Sequence, residues 1–283
     1  MTSTKEEIDL SYSVSNEFFE LWLDENMHYT CAVYEHENQS LEEAQENKAR
    51  VLYEFAEMDA NKTILDIGCG WGSMLDYAVR RGCKAAHGIT LSDEQAQWCW
   101  DRKLEKTEII IQDYALYEPK EKYDALVSIE MIDHLCSPAQ ARKGLAIELY
   151  RNYFNKLAEW VEPGACFGFQ AILRNRVPRN RKDLQDLAFT ADVIFPGGLN
   201  PRIEELVCAV TPKWEIEELH MRREDYGRTT GEWLRRMREH ESTIRAKWGD
   251  QLFDDYDRYL ATCVHGFASH YCGDVQMKLR RIS

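Results

Sequence analysis

Apolar positions along the chain follow two periods, and their alternation lays out a repeating strand–helix order. Short apolar runs of strand length stand at Thr63 to Ile67, Ala85 to Ile89, Glu108 to Gln112, Tyr123 to Ile129 and Cys166 to Leu173. Between them, Ser73 to Arg81, the segment carrying Gln95, and Glu148 to Val161 read as helices. Upstream, Ser15-Asn-Glu-Phe-Phe-Glu-Leu-Trp-Leu23 has a capping residue, an early acid and an apolar face of Phe18, Phe19, Leu21 and Trp22, which predicts an amphipathic helix. Ser40 opens a second helix over Leu41 to Met58. Residues 1–60 are therefore expected to form a helical cover across the C-terminal edge of the sheet. Downstream, Asn175 to Gly198 reads as a connecting insert, helical over Leu184 to Ile194, and about 175–212 is expected to lid an acceptor pocket. Trp214 to Met221 alternates like a strand, Thr230 to Trp248 and Phe253 to Tyr271 read as helices joined at Gly249-Asp250, and Val275 to Ile282 closes the sheet. The pattern predicts a doubly wound, seven-stranded α/β domain over 61–283.

The first strand breaks into Gly68, Gly70 and Gly72, alternating with Cys69 and Trp71, before the helix at Ser73. Glycines at a strand–turn–helix junction let the backbone approach a ligand closely, so a nucleotide-like cofactor is expected there. The spacing is G-x-G-x-G and not the dinucleotide G-x-G-x-x-G, because position 73 is Ser73. With Asp66 ahead of the first glycine, the run resembles motif I of the class I S-adenosylmethionine methyltransferases, in which an acid can meet a cationic cofactor. The bland alternative is a glycine turn without a ligand.

Composition narrows the partners. A net charge of −14 repels nucleic acid and anionic membrane surfaces at long range, so neither nucleic acid nor stable membrane association is expected. The one basic cluster, Arg174, Arg176, Arg179, Arg181 and Lys182, reads more simply as a solvated linker than as a binding patch. Nine cysteines without a C-x-x-C pair argue against zinc and a disulfide framework, and no apolar run reaches the ~18 residues of a membrane span; a cytoplasmic enzyme without a metal is expected.

Six ordered blocks carry a more specific likeness: Tyr12-Ser-Val-Ser-Asn-Glu-Phe-Phe19, Tyr29-Thr-Cys-Ala32, Leu65-Asp-Ile-Gly-Cys-Gly-Trp-Gly72, Gly88-Ile-Thr-Leu-Ser92 with Gln95, Ser128-Ile-Glu-Met131 and Ile194-Phe-Pro-Gly-Gly198. Together they resemble the cyclopropane-fatty-acid synthase and mycolic acid methyltransferase family. The resemblance implies S-adenosyl-L-methionine as cofactor, held by Tyr29, Thr30, Asp66, Gly68, Gly70, Thr90, Leu91, Gln95, Gln112 and Asp113, with Gln170 and Tyr12 toward the acceptor. It also implies an alkene that attacks the sulfonium methyl and a bound bicarbonate that removes a proton, with Cys31 and Tyr226 matching bicarbonate-site positions. Three positions depart from the family pattern: Glu130 stands where glycine is usual, Asp133 replaces the Glu of a Glu-His pair, and Gln170 replaces a His.

Glu130-Met-Ile-Asp-His134 is the expected chemical centre. On a helical turn, spacings of three and four would gather Glu130, Asp133 and His134 beside the methyl donor, where they would shift one another's pKa values as a proton acceptor requires. The competing reading makes the acids a counter-charge for the sulfonium and His134 a packing residue. The expected activity is methyl transfer to an electron-rich carbon or an amine of a small, largely apolar molecule; the alternative is methylation or cyclopropanation of an unsaturated fatty acyl chain. Glu130, Asp133 and His134 are expected to stand in for bicarbonate as the base.

Overall fold

The computed structural model describes residues 14–282, so Tyr12 and the N-terminal segment before Val14 lie outside the described residues. Seven strands form one sheet in the order β3-β2-β1-β4-β5-β7-β6. They are β1 (Thr63–Ile67), β2 (Ala85–Thr90), β3 (Thr107–Ile111), β4 (Tyr123–Ile129), β5 (Val161–Arg174), β6 (Trp214–Met221) and β7 (Cys272–Arg281). The first five pair in parallel, while β7 runs antiparallel between β5 and β6. Helices cover both faces, and the expected doubly wound α/β sheet is what the chain forms.

Strand alternation assigns the two faces. Leu65, Ile67, Leu126, Phe167, Phe169 and Met277 pack with Tyr150, Tyr153, Phe154 and Leu157 of the helix Ala146–Glu159. On the other face Ile64, Ala86 and Val127 meet Ala49 and Leu52 of α2 (Leu41–Phe55) and Met74, Leu75 and Ala78 of α3 (Ser73–Arg80). Both layers are built of buried side chains, and they fix the strand ends to which the site is attached.

The cover and the C-terminal helices share a third, aromatic core. α1 (Asn16–Glu20) supplies Phe18 and Phe19, which pack with Trp22, Trp233, Tyr256 and Tyr259. Phe19 lies 5.3 Å from the Trp71 ring, and Trp71 Nε1 donates to Asn16 Oδ1 at 2.8 Å, so the cover is tied to the glycine turn itself.

Several elements differ from the sequence reading. α1 is only five residues long because the Asp24 carboxylate captures the N–H groups of Asn26 and His28 and folds the next segment into turns. α2 stops at Phe55, where Glu57 takes a left-handed φ of 49°. Two predicted C-terminal helices are three, Arg223–Glu239, Glu241–Trp248 and Asp250–Ala268: the first ends at His240, which also leads into the second, and the second break falls at Gly249 as expected. The insert contains a helix Arg181–Phe189, a π-helical turn Thr190–Ile194 and a further helix Ile203–Val210, whose Leu206, Ala209 and Val210 join the core. No described helix is long and apolar enough to cross a membrane.

Candidate active site

A cavity of about 610 Å³ opens over the carboxyl ends of β1, β2 and β4, between the cover and the insert. Its polar end is built by the glycine turn. Gly68, Gly70 and Gly72 all have positive φ, but their side-chain space differs. A Cβ on Gly68 would meet Met131 at 2.9 Å and one on Gly72 would meet Cys99 Sγ at 2.8 Å, whereas one on Gly70 would find only Gln95 Nε2, 3.9 Å away. Gly70 therefore leaves open the space that a ligand needs.

Asp66, the last polar residue of β1, is buried, and its Oδ1 has no hydrogen-bond partner among the described residues. Burial raises its pKa to about 7, against the pull of the buried Lys48 ammonium. Lys48 projects from α2, donates to Thr30 Oγ1 at 3.1 Å and is lowered by burial to about 8. Tyr29, Thr30, Thr90, Leu91, Gln95 and Gln112 line the same end. The Thr90 hydroxyl donates to Gln95 Oε1 at 3.0 Å, which leaves the Gln95 amide N–H groups for other partners. An orphaned buried carboxylate, a buried ammonium and an open glycine cradle fit a cofactor with a zwitterionic amino-acid end.

Glu130 sits where this end meets the apolar part of the cavity. It follows β4 directly with φ of 53°, a left-handed conformation that costs an ordinary residue about 1–2 kcal/mol and that glycine would take freely. Three donors converge on its carboxylate: Cys31 N–H to Oε1 at 2.8 Å, Gln170 Nε2 to Oε1 at 2.7 Å, and the Tyr226 hydroxyl to Oε2 at 2.5 Å. Burial pushes its pKa up to about 7, opposed by these three donors and by Lys48. Such charge-assisted bonds contribute roughly 1.5–3 kcal/mol each and offset the backbone strain.

The expected helical cluster of Glu130, Asp133 and His134 is not formed. Glu130 precedes the 3₁₀ turn Ile132–Leu135, and its left-handed φ turns it toward Cys31, Gln170 and Tyr226. Asp133 and His134 pair with each other at 3.8 Å, and burial pushes the Asp133 carboxyl up. Both line the cavity beneath the insert, where Leu199 N–H donates to Asp133 O and a Cβ on Gly198 would stand 3.0 Å from the same oxygen.

Three further expectations need correction. Cys31 offers its backbone N–H to the site, while its buried thiol turns to the carbonyls of Ala32 and Arg222. Gln170 does not line the acceptor space; it is fully buried on β5 and supports Glu130 from behind. Asp113 caps its own turn by accepting from Ala115 N–H at 2.8 Å and is absent from the cavity wall, where Gln112 and Tyr114 stand instead.

Sequence reading missed Lys48, Arg222, Asp274 and Gln276. Lys48 and Gln45 were detectable as polar residues on the buried stripe Leu41, Ala44, Ala49 and Leu52 of α2. Asp274 and Gln276 sit at alternate positions of β7 beside Glu130, without a local motif to mark them. Among the described residues the one close group of metal-type ligands, Glu57, Cys166 and Glu217, has its carboxylates paired with Lys278 and Arg280.

Much of the remaining wall is apolar, with Ile172, Leu187, Ala188, Ala191, Phe195 and Phe267 beside Tyr226 and Tyr259, interrupted by Thr190, Thr230 and Thr262. At the mouth, Val177 and Leu184 both line the cavity and are exposed, near Arg174, Arg176 and Arg202. Arg174 is held by Glu205 at 2.6 Å, and Lys182 by Asp186 at 2.7 Å.

The sequence profile of the mycolic acid cyclopropane synthetase family matches residues 1–277. The chain is 28% identical over 288 residues to cyclopropane mycolic acid synthase 2 of Mycobacterium bovis, covering 95% of this chain and 92% of that protein. It is 29% identical over 277 residues to the S-adenosylmethionine-dependent methyltransferase UmaA of Mycobacterium tuberculosis, covering 93% and 92%. The structure of the cyclopropane synthase MmaA2 from Mycobacterium tuberculosis superposes with a TM-score of 0.90 at 25% identity, over 99% of both chains.

Proposed function

The chain belongs to the mycolic acid cyclopropane synthetase family of S-adenosylmethionine-dependent methyltransferases, and from that membership we propose that it methylates an electron-rich carbon or an amine of a small, largely apolar acceptor, with Glu130 as its built-in base. One observation carries the reading. Cys31 and Tyr226, the positions that the family resemblance assigns to bicarbonate, donate here to the carboxylate of Glu130. A tethered carboxylate takes the anion's place, and a second anion in that pocket would be repelled.

When bound, the cofactor supplies an electrophilic methyl group. The chain's own residues do the rest. Lys48 and Asp66 would face the carboxylate and ammonium of its amino-acid end, the Gly70 cradle would admit it, and Thr90 and Gln95 would hold its ribose side. The apolar side chains beside Glu130 would shield the acceptor from water and place its reacting atom near the carboxylate. The new C–C or N–C bond would form as the sulfonium–methyl bond breaks and S-adenosylhomocysteine leaves as the neutral thioether, and the proton the acceptor loses would go to Glu130 Oε1 or Oε2. Asp133 and His134, which line the cavity beneath the insert, would meet the polar part of the acceptor.

A second reading, methylation or cyclopropanation of an unsaturated fatty acyl chain, is favoured by one feature: the apolar lining continues through Val177 and Leu184 to the surface, so a chain longer than the cavity could trail out past Arg176. Mass spectrometry of small-molecule and lipid extracts incubated with the protein and isotope-labelled methyl donor separates the two. Label in a soluble small molecule supports the first reading; label confined to acyl chains replaces it with the second.

A further inference from the structure

The polar residues behind Glu130 form a hydrogen-bonded chain with one permitted direction. Arg222 Nε donates to Gln276 Oε1 at 2.9 Å, Gln276 Nε2 donates to Gln170 Oε1 at 2.7 Å, and Gln170 Nε2 donates to Glu130 Oε1 at 2.7 Å. Gln170 and Gln276 are fully buried and directly opposite each other on β5 and β7. A primary amide has nearly the same shape either way round, but a guanidinium has donors only. Arg222 therefore forces the carbonyl of Gln276 toward itself, the amide N–H groups of Gln276 toward Gln170, and those of Gln170 toward Glu130. The reversed chain would set a carbonyl oxygen against Glu130, which is tolerable only when that carboxyl carries a proton.

We propose that Arg222 is a positioning residue that, acting through Gln276 and Gln170, holds the proton off Glu130 and so favours its ionised, basic form. The proposal rests on the reading of Glu130 as the base. Arg222 touches neither cavity nor acceptor; its backbone leads into the helix Arg223–Glu239, its Nη2 lies 3.3 Å from His220 Nδ1, and its Nη1 lies 3.6 Å from Asp225.

Other groups face Glu130 as well. Tyr226 donates to it from the same helix, Cys31 donates its N–H from the cover, and Lys48 lies beyond from α2. From β7 comes Asp274, fully buried with neither carboxylate oxygen hydrogen-bonded among the described residues; burial and the charge of Glu130 push its pKa well up. The Asp225 carboxylate accepts from Tyr34 N–H and pairs with Arg222.

The test reads the protonation of Glu130 directly, by pH-difference infrared spectroscopy of the cofactor-loaded protein, using the protonated-carboxyl band that Glu130→Gln removes. Arg222→Met and Gln276→Met each cut the chain, and each should raise the midpoint of that band by about one pH unit, a tenfold change in its proton affinity. Gln276→Glu keeps the shape and the contact to Arg222 but cannot donate to Gln170, and should shift the midpoint at least as far. Arg222→Lys, a donor-only cation, should shift it less than Arg222→Met. An unmoved midpoint in the Gln276 variants overturns the proposal, including the case in which Arg222→Met alone moves it, since that would be a charge effect without the amides. Should Glu130→Gln keep full turnover, the base assignment fails while the band still reports whether the chain governs the carboxyl.

Discussion

The hydroxyl of Tyr226 donates to Oε2 of Glu130 at 2.5 Å, across 96 residues of sequence. The bond joins the end of β4 to the helix Arg223–Glu239 and is at the short end of O–H···O⁻ geometry. It stabilises the ionised carboxylate at the boundary between the polar and the more apolar part of the cavity. Burial acts the other way, and the balance leaves Glu130 near a pKa of 7, where a base is most useful at neutral pH.

Gly70→Val should abolish cofactor binding while leaving the fold. Its Cβ and methyl groups would enter the cradle, and its φ of 53° adds backbone strain of about 1–2 kcal/mol. Calorimetric titration with S-adenosylhomocysteine, alongside a circular dichroism melt, checks this; unchanged affinity would remove the glycine turn from the cofactor site.

Asp66→Asn should weaken cofactor affinity and stabilise the ligand-free protein at pH 8. The sign follows from linkage: Asp66 titrates near 7 when folded and near its ordinary 3.8 when unfolded, so as pH rises between these values the unfolded chain loses a proton that the fold retains. Its presence therefore costs stability progressively up to pH 7, and the amide removes that cost. A gain of up to roughly 4 kcal/mol at pH 8, vanishing toward pH 4, is expected from denaturant titrations. A variant less stable at every pH would show that Asp66 serves the fold and not the ligand.

The sheet, its order of elements and the glycine cradle were legible because each rests on local pattern: β1 and β4 as apolar runs, α3 as an amphipathic turn after Gly72. Several of the residues that line the cavity were named from the sequence, among them Tyr29, Thr30, Asp66, Thr90 and Glu130, but their arrangement was not legible. Spacing placed Glu130 with Asp133 and His134, yet one left-handed residue at the strand end redirected it to donors from three distant segments. No periodicity records a φ of 53° at a glutamate. Gln276 and Asp274 were invisible for a related reason, since β7 arrives from the far end of the chain to lie antiparallel against β5.

Turnover should not require a lipid surface if the acceptor is a soluble small molecule. Activity should be the same with and without phospholipid vesicles and should depend little on their anionic content, given the net charge of −14. Activity that appears only with vesicles or with an acyl-carrier substrate would establish the acyl reading.

Glu130→Gln keeps the volume and removes the base, so it should lower kcat by on the order of 10²-fold or more with cofactor affinity nearly unchanged. In the unmodified protein the rate should rise with pH through about 7, because only the ionised carboxylate accepts a proton; below that point it should fall about tenfold per pH unit. A pH-independent rate between 5 and 8 would contradict this.

The most direct test of the tethered base is the turnover of the unmodified protein in carbonate-free buffer under inert gas, measured before and after bicarbonate is added. With Glu130 in the anion's place between Cys31 N–H and Tyr226, the two rates should be equal. A rate that collapses without bicarbonate and returns when it is supplied would contradict the account and assign proton removal to a bound anion.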